Sequence, residues 1–397
     1  MFLGMPRLSI RPLAQLVLAL TAFACAAEPD LSSLLAGARE ATEAGRLDDA
    51  ARLWAEAVRA AEKKGDDAEI RDALTGLGQV EQAQGRTAEA IETFRRAAAA
   101  HQRVVGAKDV TLARAHDRIA MLFQESGQLP AAFAEYEKSI AIREAALGRS
   151  APEVAETLNN MGLVAYLQGD LDRAQRLLTE AVGNIENERL RDSPNRAMAL
   201  TNLAQVHRAR GDSARAIGLF RESVRVWKVN LGDDAERVAL SQNNLAEALR
   251  SAGELAEAEA LYRSSLGILQ KRGGAEDSAI AATLNELGVV LRRAGRPGEA
   301  EPVLRRAVAF EEAAAQLNRA ELGTTRFNLA LALDDLGRAA ESAALYESAL
   351  GDLESAGGPE SAAVRRVLER WAAAARAAGD AARAAEIERR IAGRAGN

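Results

Sequence analysis

The sequence predicts an all-α protein, an α-solenoid of about nine antiparallel helix pairs. A glycine recurs every 42 residues through most of the chain, and one further copy lies 40 residues upstream of that series. Apolar residues make up 48% of the chain and aromatic residues only 4%, and alanine runs such as 97–100 and 372–375 favour closely packed helices. Repetition of this period is typical of stacked units that present an extended surface instead of an enclosed catalytic pocket. The predicted repeats centre on Gly45, Gly85, Gly127, Gly169, Gly211, Gly253, Gly295, Gly337 and Gly379.

Residues 1–27 differ from the rest of the chain and predict a signal peptide. They begin with a cationic flank that contains Arg7 and Arg11, continue with an apolar run over residues 13–22, and end in small residues. This order is typical of export signals, and the run is too short to span a membrane. We therefore expect an exported protein, in the periplasm or anchored to a bacterial envelope membrane. The alternative is that the apolar run forms a buried first helix.

The chain has one cysteine, Cys25, at the predicted cleavage point. Residues 21–24, Thr-Ala-Phe-Ala, precede it and resemble a permissive bacterial lipobox, so Cys25 is a candidate lipidation site. Cleavage by an ordinary signal peptidase fits these small residues equally well. Because no cysteine follows Cys25, a mature exported chain would depend on helix packing and not on disulfides for its stability.

Each predicted repeat carries large and small residues at fixed distances from its turn glycine. An alanine or glycine lies seven residues before the turn glycine, and an alanine lies five residues after it in every repeat but one, where Ser342 takes its place. Because side chains one turn apart share a helix face, we expect a large residue nine positions after the glycine to pack against these small residues. The large residues are Trp54, Phe94, Tyr136, Leu178, Phe220, Tyr262, Leu304 and Tyr346.

This combination of small residue, turn glycine, alanine and large residue resembles the tetratricopeptide repeat signature over residues 31–392. The 42-residue spacing is similar to the kinesin light chain type of that family, which carries segments such as Leu-Asn-Asn-Met-Gly at 158–162. The resemblance implies a right-handed superhelix in which the first helix of each repeat, helix A, lines the concave face. It also implies a role in partner binding without catalysis.

A second series of glycines predicts where the second helix of each repeat, helix B, ends. We expect these glycines to adopt the left-handed conformation that closes a helix. Leu190 and Gln316 replace the glycine in two repeats, where we expect Ser193–Pro194 to start the next helix and Asn318 to be a left-handed stop. These joints either change the pitch of the superhelix or are neutral substitutes. The glycines of this series are Gly106, Gly148, Gly232, Gly274 and Gly358.

Asparagines recur nine and ten residues before the turn glycine of the central repeats, in the middle of the predicted A helices. Asparagine is a poor helix former, and its side chain can pair with the backbone of an extended peptide whatever the peptide's sequence. The alternative is that these amides bridge neighbouring helices or face water. The candidate peptide-binding amides are Asn159, Asn160, Asn202, Asn243, Asn244, Asn285 and Asn328.

Arg208, Arg250 and Arg292 lie three residues before the turn glycine in consecutive repeats. Guanidinium groups bind carboxylates through two parallel hydrogen bonds, so an aligned strip predicts a partner with acidic side chains or a free C-terminus. Alternatively, the arginines pair with nearby acids such as Glu247 or Glu254. Tyr166 holds the same position in the preceding repeat and is a candidate stacking or apolar anchor.

We expect no catalytic residue, metal site or cofactor. The three histidines, His101, His116 and His207, belong to different predicted helices, and no phosphate-binding loop or zinc motif is present. His207 takes a position that is leucine in other repeats, which predicts a partly buried packing residue. The net charge of −6 offers no basic excess for nucleic acid.

The sequence therefore predicts a non-catalytic scaffold that binds a protein or an extended peptide, with membrane contact only through a lipid at Cys25. The alternative is a cytoplasmic adaptor or regulator whose N-terminal apolar segment is not a signal. Residues 361–397 predict a capping repeat and tail, because Glu388 takes the large position of the last repeat and arginines recur along its second helix.

Overall fold

The computed structural model describes residues 30–185, 191–272, 277–314 and 316–394, which contain eighteen α-helices and no strand. The predicted signal segment 1–27, with Cys25, lies outside the described residues. The prediction of an all-α fold is confirmed. The helices are α1 (Leu31–Glu43), α2 (Leu47–Lys64), α3 (Asp67–Ala83), α4 (Thr87–Val105), α5 (Val110–Glu125), α6 (Leu129–Leu147), α7 (Pro152–Leu167), α8 (Leu171–Asn184), α9 (Pro194–Ala209), α10 (Ser213–Leu231), α11 (Glu236–Ala252), α12 (Leu255–Arg272), α13 (Asp277–Arg293), α14 (Pro297–Ala313), α15 (Arg319–Asp335), α16 (Ala339–Gly357), α17 (Ala362–Ala377) and α18 (Ala381–Arg394).

The described chain forms two compact units that divide between Thr157 and Leu158. Within the first unit, α1 to α6 pack in sequence order, each helix against the next. Within the second unit, α8 to α18 do the same, and α7 packs on α8 through Gly162. Odd-numbered helices are the A helices and even-numbered helices the B helices. Sequential stacking of helix pairs is the solenoid arrangement that the sequence predicts.

The turn glycine between each A and B helix has a positive φ, from +70° at Gly45 to +86° at Gly253. The residue after the glycine donates its backbone N–H to the carbonyl five positions earlier, as from Glu254 to Leu249 at 2.9 Å and from Arg338 to Leu333 at 2.9 Å. This pair of features is the Schellman motif, which satisfies the last carbonyls of the A helix. A glycine therefore recurs every 42 residues because the backbone at this turn needs a positive φ, which glycine adopts most readily.

Four glycines that end B helices, Gly106, Gly148, Gly232 and Gly358, differ from this pattern in ψ. Gly65, after α2, instead has a left-handed ψ of 24°, and the predicted Gly274 lies outside the described residues. Gly106 has φ of 87° and ψ of 160°, and Gly232 has φ of 81° and ψ of 165°. The predicted positive φ is confirmed, but this backbone lies outside the left-handed helical region and in a region almost restricted to glycine. The chain therefore leaves the B helix in an extended direction instead of turning back tightly.

At each of the two joints without a glycine, a side chain caps the start of the next helix. Ser193 accepts a hydrogen bond from the Arg196 N–H at 3.3 Å and caps α9, as predicted. The prediction for Asn318 was wrong, because its φ is −87°. Its side chain instead accepts from the Ala320 N–H at 3.2 Å and caps the start of α15. A left-handed residue is not needed here, since the chain leaves α14 through an extended residue, Ala314.

The packing of large residues on small ones is confirmed. A Cβ added to Gly162 would lie 2.5 Å from Leu178 Cγ, and one added to Gly288 would lie 2.4 Å from Leu304 Cγ. These glycines lie seven residues before a turn glycine, and both leucines lie nine after it. The A and B helices of these repeats thus approach too closely for a methyl group between them.

Candidate functional site

The eleven sequence-predicted binding residues all lie on A helices of the second unit. These helices contact one another as well as their B helices, as α11 contacts α13 and α13 contacts α15. The predicted residues are Asn159, Asn160 and Tyr166 on α7, Asn202 and Arg208 on α9, Asn243, Asn244 and Arg250 on α11, Asn285 and Arg292 on α13, and Asn328 on α15.

Ten half-buried residues occupy the positions nine and six residues before the turn glycines of these five helices. Because the two positions are three residues apart, they share one side of each helix. We call this side the A-helix face. Its residues are Asn160, Leu163, Asn202, Gln205, Asn244, Glu247, Glu286, Val289, Asn328 and Leu331.

Two pairs of asparagines connect neighbouring A helices at this face. Asn202 Nδ2 donates to Asn159 Oδ1 at 2.9 Å, and Asn328 Nδ2 donates to Asn285 Oδ1 at 2.8 Å. In both pairs the donor lies nine residues before its turn glycine and the acceptor ten residues before the previous one. For these residues the amides bridge helices, which is the alternative that the sequence left open.

The α9–α11 contact lacks the equivalent bond. Thr201 holds the acceptor position on α9, but its hydroxyl contacts Ser223 Oγ at 2.8 Å and donates to the Ala197 carbonyl at 2.9 Å. Asn244, the residue in the donor position on α11, makes no side-chain hydrogen bond within the part of the chain that the structure describes. A half-buried amide is therefore available for a ligand at the centre of the A-helix face.

Two further amide oxygens near Asn244 are buried and have no hydrogen-bond partner among the described residues. They are Oε1 of Gln205 on α9 and Oδ1 of Asn243 on α11. The Asn243 amide nitrogen is occupied, since Nδ2 donates to Thr283 Oγ1 at 2.8 Å. Unsatisfied buried acceptors are costly, but these two oxygens are enclosed by the fold, so the half-buried Asn244 amide is the group that a ligand can reach directly. Sequence reasoning missed Gln205, although it lies on the same helix side as Asn202.

The three predicted arginines each pair with an acid on the next A helix. Arg208 pairs with Glu247, Arg250 Nε lies 3.2 Å from Glu286 Oε2, and Arg292 Nη1 lies 3.1 Å from Asp335 Oδ2. Pairing with Glu247 is the alternative considered from the sequence, whereas Glu286 and Asp335 were not anticipated. The arginines form a ladder across the A helices, and in this structure internal carboxylates hold it.

Burial affects the titration of groups around Arg250. It raises the pKa of Glu286, and the Arg250 guanidinium opposes that shift. It also raises the pKa of Tyr262, whose side chain is 1% exposed and whose hydroxyl has no hydrogen-bond partner among the described residues. Burial explains both shifts, because desolvation disfavours the charged form of each group.

Aliphatic side chains flank the amides and were also missed by sequence reasoning. Leu167 is 50% exposed at the end of α7, beside the half-buried Tyr166, and Leu240 is 39% exposed on α11. Leu163, Val289 and Leu331 belong to the face itself. A signal for them was present, since Leu240 precedes Asn244 by four residues and therefore shares its helix side.

Three further findings concern the described residues. His207 is 7% exposed, which confirms it as a packing residue. Within residues 30–394, apart from the three undescribed gaps, no group of three or more potential metal ligands is found. No helix in this part of the chain is long and apolar enough to cross a membrane.

Comparison with protein families matches these repeats directly. The tetratricopeptide repeat model matches residues 111–187, 153–228, 195–271 and 237–313, which together span more than half of the chain. The chain belongs to the tetratricopeptide repeat family. Two further models with the same description match residues 35–103 and 323–348. A search of curated proteins gave no significant match.

Solved tetratricopeptide repeat structures share the fold at low sequence identity. The apo form of the quorum sensor NprR from B. thuringiensis has a TM-score of 0.60 at 13% identity, with 91% of this chain and 98% of that chain covered. The apo form of RapI has a TM-score of 0.59 at 15% identity, with 92% and 97% covered. BtubC from P. vanneervenii has a TM-score of 0.51 at 22% identity, with 59% and 91% covered. The tetratricopeptide fold is in general a binding scaffold and not a catalyst.

Proposed function

We propose that this protein is a non-catalytic scaffold of the bacterial cell envelope that binds an extended peptide segment of a protein partner on its A-helix face. The observation that carries the proposal is the unsatisfied amide chemistry at the α9–α11 contact. There, within the described chain, the half-buried Asn244 has no internal partner and neither has the Gln205 oxygen, whereas the asparagines of the α7–α9 and α13–α15 contacts are paired.

An extended peptide supplies the chemistry that these amides need. Its backbone offers N–H donors and carbonyl acceptors at regular intervals that do not depend on sequence. Asn244 can both donate to and accept from this backbone. Rotation of the partly exposed Gln205 side chain would bring its amide to the surface, where its oxygen would accept from a backbone N–H group.

The aliphatic residues add side-chain recognition to this backbone contact. Leu240 precedes Asn244 by one helical turn, Val289 lies on the neighbouring A helix α13, and Leu163 and Leu331 lie two A helices away on either side. Alternate side chains of an extended peptide would contact these residues, with Tyr166 and Leu167 forming an apolar end. Two asparagine pairs hold the A helices in register on either side of this contact: Asn202 with Asn159, and Asn328 with Asn285.

Where the peptide carries an acidic side chain or a C-terminal carboxylate, Arg208, Arg250 and Arg292 are the groups that would bind it, in exchange for the acids that hold them. Each of these side chains is partly exposed, between 23% for Arg250 and 32% for Arg208. A guanidinium has five donors and can bind a second carboxylate or exchange the first. The alignment of the three arginines on consecutive A helices supports this contact.

A selected peptide tests the binding function. Peptides taken from a random library by the full-length chain should lose affinity by about tenfold for the double variant Gln205→Ala with Asn244→Ala, since two hydrogen bonds are removed. Gln270→Ala, on an exposed part of α12, is the matched control and should leave affinity unchanged. Equal binding by the wild type and the double variant would refute the A-helix face as the site.

The envelope location rests on residues 1–27, and the 42-residue period supports the kinesin light chain type of repeat. Cell fractionation and mass spectrometry of the mature N-terminus test the location. A lipidated Cys25, or a start just after the predicted cleavage point, would support export. A cytosolic chain with Met1 intact would contradict it and favour the adaptor alternative.

A further inference from the structure

In three consecutive repeats of the second unit, an arginine of helix A already pairs with a carboxylate of the next A helix. A ligand carboxylate would need the same arginine. The arginines share one register, three residues before the turn glycine. Their partners do not, because Glu247, Glu286 and Asp335 lie six, nine and two residues before theirs. The acids are therefore placed individually and do not come from the repeat itself.

Within the second unit, acids occupy these three positions only after a repeat that has the arginine. Tyr166 replaces the arginine on α7, and the next helix has Asn202, Gln205 and Ala209 at the three positions. Asp334 replaces it on α15, and α17 has Arg370, Ala373 and Ala377 there. Each acid thus accompanies one arginine.

Resting on the proposed peptide-binding function, we propose that Glu247, Glu286 and Asp335 determine the ligand specificity of the A-helix face by competing with ligand carboxylates for Arg208, Arg250 and Arg292. An acidic peptide gains an arginine contact only by displacing an acid that is already there. The displaced carboxylate stays on the face and repels the ligand. The acids thereby favour peptides that bind through backbone and apolar groups over acidic ones.

The exposure of the pairs allows this exchange. The side chains of Glu247 and Glu286 are 37% and 33% exposed, and that of Asp335 is 42% exposed. The Arg208–Glu247 and Arg292–Asp335 pairs contribute little to stability at this exposure, so their opening does not unfold the stack, whereas the contacting atoms Arg250 Nε and Glu286 Oε2 are buried. Exchange of one carboxylate for another leaves the number of guanidinium contacts unchanged. The net attraction of an acidic ligand is therefore small while the internal acids are present.

Neutral variants of the acids test the competition. We would measure the fluorescence anisotropy of labelled hexaglutamate and labelled hexaglutamine with the full-length chain. The triple variant Glu247→Gln, Glu286→Gln, Asp335→Asn should bind hexaglutamate about tenfold more tightly than the wild type, because it keeps the shape of the acids and removes their charge. Its affinity for hexaglutamine should not change. Addition of Arg208→Gln should reverse part of the gain.

Glu257→Gln is the matched control, because Glu257 pairs with Arg221 at 2.7 Å between B helices, away from the face. It should leave both affinities unchanged, and single variants replace the triple one if a thermal melt shows that the triple variant is unfolded. The proposal is overturned if removal of the acids leaves hexaglutamate binding no tighter than in the wild type, including no binding by either chain. That result would leave the proposed function standing, provided that library-selected peptides still depend on Gln205 and Asn244.

Discussion

Asn202 donates a hydrogen bond to Asn159 across the contact of α7 and α9, and no equivalent bond forms one repeat later because Thr201 bonds within its own repeat. Thr201, which takes the place of an acceptor asparagine, thus leaves Asn244 without a partner in the described chain. On the A-helix face, amide pairs fix the spacing of α7 and α9 and of α13 and α15. At the centre of the face, amide groups have no internal partner among the described residues. The proposed function depends on this difference between repeats that are otherwise alike.

The close approach of A and B helices predicts the effect of adding one methyl group. Gly162→Ala or Gly288→Ala should lower the free energy of unfolding by about 1–3 kcal/mol, because the new Cβ would overlap Leu178 or Leu304. Gly267→Ala in α12 is the control. Nothing lies within 4 Å of its Cβ, so it should raise stability by about 0.5–1 kcal/mol. Urea unfolding measures both changes, and similar results at Gly162 and Gly267 would contradict the packing described.

The buried carboxyl group of Glu311 predicts a pH-dependent stability. Glu311 is 9% exposed, Thr325 Oγ1 donates to its Oε1 at 2.8 Å, and its Oε2 has no partner among the described residues. Burial raises its pKa from 4.5 to about 7, the hydrogen bond from Thr325 opposes this, and the nearby charges are Glu321, Arg326 and Glu312.

Because folded Glu311 holds its proton more tightly than the unfolded chain does, its contribution to the free energy of unfolding is largest below about pH 4.5 and falls until about pH 7. The loss is up to about 3 kcal/mol. Glu311→Gln should abolish this part of the pH dependence and be more stable than the wild type at pH 8, whereas Glu312→Gln should not. Parallel stability curves for the wild type and Glu311→Gln between pH 4.5 and 8 would show that Glu311 is not a source of pH dependence.

Arg196 is buried, and we expect an apolar replacement at this position to be tolerated. The position fifteen residues before the turn glycine is aliphatic in the other repeats of the second unit, as at Val238 and Ile280, but here it is an arginine with 6% exposure. Arg196 pairs with Glu222 at 2.8 Å and donates to the Arg191 carbonyl at 3.1 Å. Arg196→Leu should be as stable as the wild type or more stable, because burial of the arginine charge costs desolvation free energy that a leucine does not incur.

Arg196→Ala, by contrast, should lose about 1–3 kcal/mol through the cavity that it leaves. Chemical denaturation distinguishes the two variants. An Arg196→Leu protein that is destabilised as much as Arg196→Ala would show that the ion pair, and not the filled volume, stabilises this joint.

The last repeat is predicted to act as a cap. Trp371 on α17 stacks on Tyr346 of α16 with ring centroids 5.9 Å apart. The Arg383 guanidinium of α18 lies over the Trp371 ring, 4.6 Å from its centre. Deletion of residues 361–397 would expose Tyr346 and Leu350 to water. We expect aggregation, a lower melting temperature and increased binding of a hydrophobic dye. A soluble truncated chain with the melting temperature of the full chain would exclude the capping role.

The sequence predicted the features that follow from local backbone and packing rules. A left-handed turn favours glycine, and a close helix crossing needs a small residue beside a large one, so Gly253 and the pair Gly162 and Leu178 could be predicted from their period. The prediction for Asn318 failed because asparagine suits both a left-handed position and a helix N-cap, and the residue type alone does not distinguish the two.

The functional details needed the structure because they break the period. Glu286 and Asp335 pair with arginines 36 and 43 residues away, at registers that no repeat shares. The availability of Asn244 depends on a hydroxyl, at Thr201, that has bonded elsewhere. A prediction from the shared repeat pattern does not include these exceptions. The exceptions distinguish the surface of one repeat from that of another.

Hydrogen–deuterium exchange of the full-length chain, with and without a library-selected peptide, tests the A-helix face most directly. If the peptide binds there, amide exchange should slow in α9, α11 and α13 by more than in α10, α12 and α14, with the largest change around Asn244 in α11. Protection confined to the even-numbered helices, or equal protection of both sets, would contradict binding at the A-helix face.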